Sequence, residues 1–343
     1  MWNVTNSGKT GRIARWLRLC LYWTIPVVIL YVIFRRIDFS LLWANIARSN
    51  TWLCAIGTVL CLSAVLFGGW RWQILLKGYD IGKPRLWWAL RHYWIGLTLG
   101  QFTPASLGWE AYRVVVSGRR FGKYSLNLSI VLAEKIIAAI IGALMIIMIY
   151  PMLSATVDME FETVLDVMYV LVALCLAFFV GTRKLSRSSF VHRLLNRFEK
   201  KIAHVRERLR AKLGANNEET SPRNSLGEMM APFMAPKKVV PLVLLTIAMR
   251  LVTALGHQVF FYSLDVEMPF VANLFVALLL FFVFVLPISF GGLGVREGAF
   301  ILLYKPFGVP AETALVVSFF TLFAMILNYL IGTLFMVVPS RHD

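Results

Sequence analysis

Charged residues are scarce in this chain of 343 residues: Asp, Glu, Lys and Arg together make up only 15% of it. Soluble domains contain about 25% charged residues. Hydrophobic residues reach 59%, the mean hydropathy is +0.70, and several apolar runs approach the roughly 20 residues that span a bilayer. The composition therefore excludes a soluble globular domain and predicts a polytopic, all-α membrane protein.

Cysteine and histidine are also few, with four and five copies. The four cysteines lie in apolar runs without C-x-x-C spacing, which is typical of buried small side chains rather than of disulfides or metal ligands. No two histidines form an H-x-x-x-H pair. The segment "SGKT" at 7–10 lacks the first glycine of a P-loop, since Asn3 stands at that position. We therefore expect no metal and no nucleotide cofactor.

Acidic residues number 18 against 35 Lys and Arg, which gives a formal net charge of +17. Lys and Arg collect near the N-terminus and in the loops 71–91 and 182–238, whereas the loops 151–163 and 263–270 contain none. This alternation is typical of basic cytoplasmic loops that face anionic lipid. It argues against nucleic acid as a partner and predicts that both termini are cytoplasmic.

The apolar segments are of two kinds, continuous and interrupted. Six continuous segments are predicted to span the membrane, at 16–34, 51–70, 126–150, 164–181, 239–262 and 312–338. Two further segments, 87–117 and 271–303, are apolar but interrupted. Because both flanks of 87–117 are basic, we predict a re-entrant hairpin that enters from the cytoplasm and returns to it.

The two interrupted segments share the pattern P-x-S-x-G-x4-R, at 104–113 and 287–296. Proline and glycine end helices or permit tight turns, and the freed backbone must be buried in protein or line a wet cavity. The flanking spans run in opposite directions, so we predict an inverted repeat of 51–150 and 239–338. A chance match of so short a pattern is the alternative. The predicted hairpin tips contain Pro104, Gly108, Pro287, Gly291, Gly292 and Gly294.

The long basic loop divides into two parts. Residues 184–213 place apolar side chains on one helical face and arginines and lysines on the other, which predicts an amphipathic helix on the cytoplasmic leaflet. Residues 214–237 are polar and contain proline, which predicts a flexible loop. Binding of a partner protein through the basic helix is the alternative to binding of lipid.

A few ionisable residues fall inside apolar segments, where each costs roughly 2.5–3.5 kcal/mol and is therefore a candidate for function. Arginine suits a lipid phosphate because its planar guanidinium binds phosphate oxygens bidentately and keeps its charge. Local pairing of Glu110 with Arg113 and of Arg296 with Glu297, or a bridge between Glu134 and Arg250, is the structural alternative. The predicted substrate-binding residues are Arg113, Arg296, Glu110, Glu297, Ser106, Ser289, Glu134 and Arg250.

The stretch "LPISFGGLGVREGAF" at 286–300 resembles the main motif of the lysylphosphatidylglycerol synthase transmembrane-domain family, also described as flippase-like integral membrane proteins. The earlier "TPASLGWEAYRVVVSGRR" is similar to that family's P-G-x-x-G-G-D-x-x-R element, although Trp109-Glu110 stands where Gly-Asp is usual. The resemblance implies lipid translocation in the bacterial plasma membrane. Members that also make aminoacylated lipid carry a soluble transferase domain, which we do not expect here.

We therefore expect translocation, between leaflets, of a phosphate-bearing lipid, either a phospholipid or a polyprenyl-phosphate-linked lipid, without enzymatic activity. Arg113 and Arg296 would hold the headgroup, with Glu297 or Glu134 balancing the charge or carrying a coupling proton. Two alternatives stay open: a membrane scaffold or accessory subunit for a lipid or glycan synthase, and a membrane enzyme acting on a lipid phosphate. The expected partners are anionic membrane lipids; a homodimer and a lipid- or glycan-synthesising enzyme are compatible with the sequence.

Overall fold

All regular structure is helical in the part of the chain that the computed structural model describes, which confirms the all-α fold. The helices are α1 (Phe39–Arg48), α2 (Thr51–Gly78), α3 (Leu86–Gly100), α4 (Leu107–Phe121), α5 (Tyr124–Ser154), α6 (Pro236–Ser263), α7 (Phe270–Val285), α8 (Val295–Tyr304) and α9 (Ala311–Val337), with a 3-10 turn at Lys305–Phe307. The described residues are 31–33, 35, 37–79, 81–101, 103, 107–122, 124–154, 163, 165–173, 236–285, 292 and 294–338.

Polar side chains define where several of these helices begin. The Asn50 side chain accepts hydrogen bonds from the backbone N–H groups of Trp52 and Leu53, at 3.0 and 3.3 Å, and so caps α2. Asp38 caps α1 in the same way. Such caps satisfy backbone donors that have no partner within the helix. Apolar side chains then continue each long helix over a length that suits a bilayer.

Four helices are long and apolar enough to cross a membrane, over Thr51–Gly78, Leu126–Ser154, Val239–Ser263 and Ala311–Val337. The chain is therefore a multi-pass membrane protein. These helices correspond to four of the six predicted spans. Nearly all of the predicted span at 16–34, half of the one at 164–181, the amphipathic helix at 184–213 and nearly all of the loop at 214–237 lie outside the described residues.

The loop predicted at 71–91 begins later than expected, because α2, which contains the span predicted at 51–70, continues to Gly78. Trp72, Leu75 and Leu76 are almost completely buried, so apolar packing extends the helix beyond the tryptophan-rich boundary. Arg71 consequently lies within this helix and is itself buried, although the basic residues that follow it predicted a cytoplasmic loop from that position.

Each interrupted segment folds into two helices that pack against each other, α3 on α4 and α7 on α8. The interruptions predicted at the two P-x-S-x-G motifs are thus present between these helices. Gly292 and Gly294 both have positive φ angles, 77° and 76°, which favour glycine. Among the predicted tip and serine positions, Pro104, Ser106, Pro287, Ser289 and Gly291 lie outside the described residues.

The two halves of the chain meet where α2 packs antiparallel to α6. The Asn50 N–H donates to the Ser263 carbonyl at 2.9 Å, Gly57 faces Phe260, and Arg71 reaches Thr246 towards the other end of the pair. Other helix pairs also have counterparts in the opposite half: α3 packs on α9 as α7 packs on α5, and α4 packs on α5 as α8 packs on α9. This arrangement is compatible with the predicted inverted repeat.

The two hairpins approach opposite ends of the α2–α6 pair. The C-terminal end of α4 lies beside the end of α2, where Phe121 contacts Trp88 at 5.4 Å between ring centroids and Trp88 stacks on Trp72. The C-terminal end of α8 lies beside the end of α6, where Tyr304 contacts Phe261 at 4.8 Å. Since α2 and α6 are antiparallel, these two ends are on opposite sides of the molecule.

Gly332 permits a close approach between α3 and α9, so we expect an alanine at this position to destabilise the protein. A Cβ atom there would collide with the Thr98 hydroxyl and lie 2.5 Å from the Trp94 carbonyl oxygen, so backbone would have to move. We expect Gly332→Ala to lower the free energy of unfolding by about 1–3 kcal/mol. Gly142→Ala is the matched control, because its Cβ would lie 3.3 Å from a Phe282 side-chain atom. Equal thermal unfolding midpoints of the two variants in detergent would contradict this prediction.

Candidate functional site

Four charged side chains from four helices form a cluster where the two halves meet. This arginine cluster consists of Arg71, Arg113, Glu134 and Arg250. The Oε1 atom of Glu134 accepts hydrogen bonds from Nε and Nη2 of Arg71, at 3.1 and 2.5 Å, and its Oε2 atom accepts one from Nη1 of Arg113 at 2.8 Å. Arg71, Arg113 and Glu134 are all buried. One carboxylate on α5 therefore joins guanidinium groups from α2 and α4.

Arg71 also links the two halves of the chain. Its Nη1 atom donates to the Thr246 hydroxyl of α6 at 2.8 Å, and this hydroxyl donates to the Leu242 carbonyl at 2.7 Å. Both acceptors of Arg71 are buried, so its guanidinium is held on two sides. Such hydrogen bonds between spans replace the contacts with water that the side chains lack in a membrane.

Aromatic rings surround the Arg113 guanidinium. Its central carbon lies 4.9 Å from the ring centroid of Trp109, 5.4 Å from that of Tyr93 and 5.8 Å from that of Trp72. Rings at these distances attract a cation through their electron-rich faces. Tyr93 is also close enough to Arg71 and Glu134 to interact with their charges. These rings and Glu134 therefore hold the Arg113 guanidinium between α2, α3 and α4.

Arg250 is the cluster member without a carboxylate partner. It lies on α6 one helical turn after Thr246, and its charge interacts with that of Arg71. Its guanidinium carbon lies 3.5 Å from the ring centroid of Phe281 on α7. Its Nε atom has no hydrogen-bond partner, and it forms no ion pair within the described ranges. Arg250 thus retains donors that an anion can use.

The partners of the acidic residues differ from two of the pairs considered from the sequence. Glu110 contacts the ammonium group of Lys135 at 2.9 Å instead of Arg113, because Arg113 reaches across to α5. Glu134 pairs with Arg71 and Arg113, so the bridge between Glu134 and Arg250 is absent. The Glu110–Lys135 pair lies at the edge of the cluster, where the lysine side chain is 41% exposed.

In the second half, Arg296 does pair with its neighbour Glu297. Its Nε and Nη2 atoms donate to Oε1 of Glu297, the first at 3.1 Å, while Oε2 of Glu297 accepts from the Gly294 N–H at 2.6 Å. Glu297 thereby both neutralises Arg296 and caps the beginning of α8. The pair is nearly inaccessible, and the remaining Arg296 donor faces the Met325 sulfur at 3.8 Å.

The arrangement brings Arg113, Glu134 and Arg250 together, keeps Glu110 at the edge, and gives Arg296 and Glu297 a separate site. Two further residues of the site, Arg71 and Tyr93, were not predicted from the sequence. A signal for Arg71 was available, since the apolar helical pattern continues through Trp72, Leu75 and Leu76 after it. Chemically, three guanidinium groups around one carboxylate form a site for an anion, and guanidinium groups match phosphate oxygens in particular.

Comparison with known proteins agrees with this architecture. Residues 15–334 match the family model described as the lysylphosphatidylglycerol synthase TM region, which covers nearly the whole chain. Neither a curated protein nor a solved structure gives a significant match to the chain.

Proposed function

Because the chain belongs to the family of the lysylphosphatidylglycerol synthase TM region, we propose that it translocates a phosphate-bearing lipid between the leaflets of a bacterial plasma membrane. The lipid is a phospholipid or a polyprenyl-phosphate-linked lipid, and it is moved without chemical change. The observation that carries the proposal is the arginine cluster, a positively charged site buried between the two inverted halves. Intramembrane charges of this kind mark substrate pathways.

The depths of the two arginine sites support a path across the membrane. Arg113 lies eight residues before the end of α4, and Arg296 lies eight residues before the end of α8. With a rise of about 1.5 Å per residue, each lies about 12 Å from its helix end. Because these ends are on opposite sides of the molecule, a headgroup that moves between the two sites would travel from one leaflet towards the other.

The two sites would act differently on a phosphate. In the first, Arg250 offers donors directly, while Glu134 holds Arg71 and Arg113 in place. In the second, Arg296 would exchange its bond with Glu297 for one with the phosphate. We propose that relative movement of the two halves at the α2–α6 interface accompanies this transfer, as in other carriers with inverted repeats.

The proposed orientation has both termini in the cytoplasm. More of the exposed basic side chains lie at one end of the helices than at the other, and the positive-inside rule assigns that end to the cytoplasm. The turn between α6 and α7, at the other end, carries the exposed acidic residues Asp265 and Glu267. The exposed basic residues at the proposed cytoplasmic end are Lys77, Lys83, Arg85, Arg119 and Arg120, whereas Arg48 and Lys305 are exposed at the other end.

Leaflet exchange of fluorescent anionic lipids in proteoliposomes tests the proposal. We expect exchange by the wild type and a loss of about tenfold or more in Arg113→Ala and Arg296→Ala, since a charge-assisted hydrogen bond contributes about 1.5–3 kcal/mol. The exposed Arg119→Ala is the matched control and should retain the wild-type rate. Mass spectrometry of the lipid should find it unchanged.

Absence of exchange for a panel of anionic phospholipids and polyprenyl phosphates would contradict translocation and would favour the scaffold. A chemically altered lipid would instead favour the membrane enzyme. Unfolding midpoints of all variants are measured beside the rates, so that a loss of folding is not mistaken for a loss of transport.

A further inference from the structure

The arginine cluster has an excess of two positive charges. Arg71 and Arg113 share the carboxylate of Glu134, and Arg250, whose charge interacts with that of Arg71, adds a third positive charge without a carboxylate of its own among the described residues. The neighbouring Glu110–Lys135 pair is neutral and leaves this excess unchanged. By contrast, the Arg296–Glu297 pair in the other half has no excess. Charges removed from water are stable only when they are paired, so the cluster favours a ligand that brings two negative charges.

From this imbalance we propose that the arginine cluster is selective for a dianionic phosphate, namely the phosphomonoester headgroup of a lipid, over the monoanionic phosphodiester of common phospholipids. A phosphomonoester carries a charge between about −1.5 and −2 at neutral pH, because its second ionisation has a pKa near 6. The inference rests on the proposed function, in which the headgroup binds at this cluster, and it adds the chemical class of that headgroup.

Arg250 is the residue on which this selectivity depends. Arg71 and Arg113 already share the charge of Glu134, whereas Arg250 has no carboxylate in the described part of the chain. Its close contact with the Phe281 ring, at 3.5 Å, places the guanidinium on the ring face and leaves its N–H edge for an oxygen ligand. A planar guanidinium edge binds two phosphate oxygens at once.

The neighbours of Arg250 provide further contacts for the same phosphate. Its position one turn from Thr246 brings it near the Arg71 guanidinium, which bonds that hydroxyl. The Nε atom of Arg113 also has no hydrogen-bond partner. A phosphate with two charges can therefore interact with Arg250 and with the charge that Glu134 leaves uncompensated on the other two guanidinium groups. A phosphodiester would neutralise only half of the excess.

Binding measurements on the full-length protein in nanodiscs test the proposal. The probes are dioctanoyl phosphatidate and dioctanoyl phosphatidylglycerol, which have the same chains but a phosphomonoester and a phosphodiester, at a pH above the second phosphate ionisation. We expect the wild type to bind the phosphomonoester about tenfold or more tightly, which corresponds to one additional charge-assisted contact. Arg250→Gln should equalise the two affinities, and Arg250→Lys should keep a preference because the charge remains.

The matched control is Arg119→Gln, which removes an exposed arginine of α4 outside the cluster and should retain the full preference. Equal affinities of the wild type for the two lipids would overturn the proposal, whether or not the variants fold. An undiminished preference in folded Arg250→Gln would overturn the assignment to Arg250. Inorganic phosphate forms a third arm: binding as tight as that of phosphatidate would identify a soluble phosphate as the ligand and overturn the lipid class.

Leaflet exchange separates this inference from the proposed function. If phosphatidylglycerol exchanges as fast as phosphatidate and binds equally well, the selectivity fails while translocation stands. If phosphatidate binds selectively but no lipid exchanges, the selectivity stands while translocation fails.

Discussion

Replacing Glu134 with glutamine is expected to lower the free energy of unfolding by about 3–5 kcal/mol, the usual effect of removing one partner from a buried ion pair. Glutamine has nearly the same shape, but the substitution removes the negative charge and replaces one of the two acceptor oxygens with an NH2 donor. In the wild type, both oxygens of Glu134 are used by Arg71 and Arg113. Without the carboxylate, these two buried guanidinium groups would repel each other and Arg250.

Thermal unfolding of the purified protein in detergent measures this effect. Glu267→Gln is the matched control, because Glu267 is exposed in the turn between α6 and α7. A second arm combines Glu134→Gln with Arg71→Gln. Since the double variant removes one of the uncompensated charges, it should be less destabilised than the sum of the single variants, as expected for residues in contact. An unfolding midpoint of Glu134→Gln equal to that of Glu267→Gln would contradict the prediction.

The class of fold could be predicted because hydropathy and helix breakers are local properties. Runs such as 239–262 are long enough to span a bilayer wherever they pack. Proline between α3 and α4, and proline and glycine between α7 and α8, are residues that predict a break from the chain itself. The repeated positions of Arg113 and Arg296 indicated two related halves before any helix packing was known.

The pairing of charges in the first half could not be predicted, because it depends on which helices become neighbours. Glu110 and Arg113 are three residues apart and could have paired on the surface of α4. Instead, packing of α4 on α5 gives Arg113 the carboxylate of Glu134 and leaves Glu110 to Lys135. The sequence predicted a loop at Arg71 instead of a helix for a related reason. A positively charged residue near the end of an apolar run predicts a loop unless a buried carboxylate partner is known.

The two halves consequently have similar helix contacts, but the net charge around Arg113 differs from that around Arg296. The repeated sequence motif alone does not reveal this difference. The guanidinium of Arg113 is compensated by Glu134 from another helix, and that of Arg296 by the next residue in the chain. A carboxylate supplied from another helix can be shared with Arg71, whereas the adjacent Glu297 serves Arg296 and the helix cap. This difference explains why an excess of positive charge arises only at the first site.

Replacing Glu297 with glutamine is the second large effect that we expect, again about 3–5 kcal/mol of stability, because Arg296 would lose its buried counter-charge. The remaining contact of Arg296, with the Met325 sulfur at 3.8 Å, cannot compensate a full charge. Glutamine can still accept the hydrogen bond that Glu297 accepts from the Gly294 N–H. Alanine cannot, so Glu297→Ala should be less stable than Glu297→Gln by about 1 kcal/mol, the typical value of a helix cap.

Glu312→Gln is the control for losing a negative charge at the beginning of a helix without losing a buried ion pair. Glu312 lies in the first turn of α9 and has no ion-pair partner among the described residues. Losing its interaction with the helix dipole should cost only about 0.3–1 kcal/mol. From highest to lowest, the expected order of unfolding midpoints is therefore wild type, Glu312→Gln, Glu297→Gln and Glu297→Ala. Equal stability of Glu297→Gln and Glu312→Gln would contradict the prediction, because it would mean that Arg296 does not depend on Glu297 for its counter-charge.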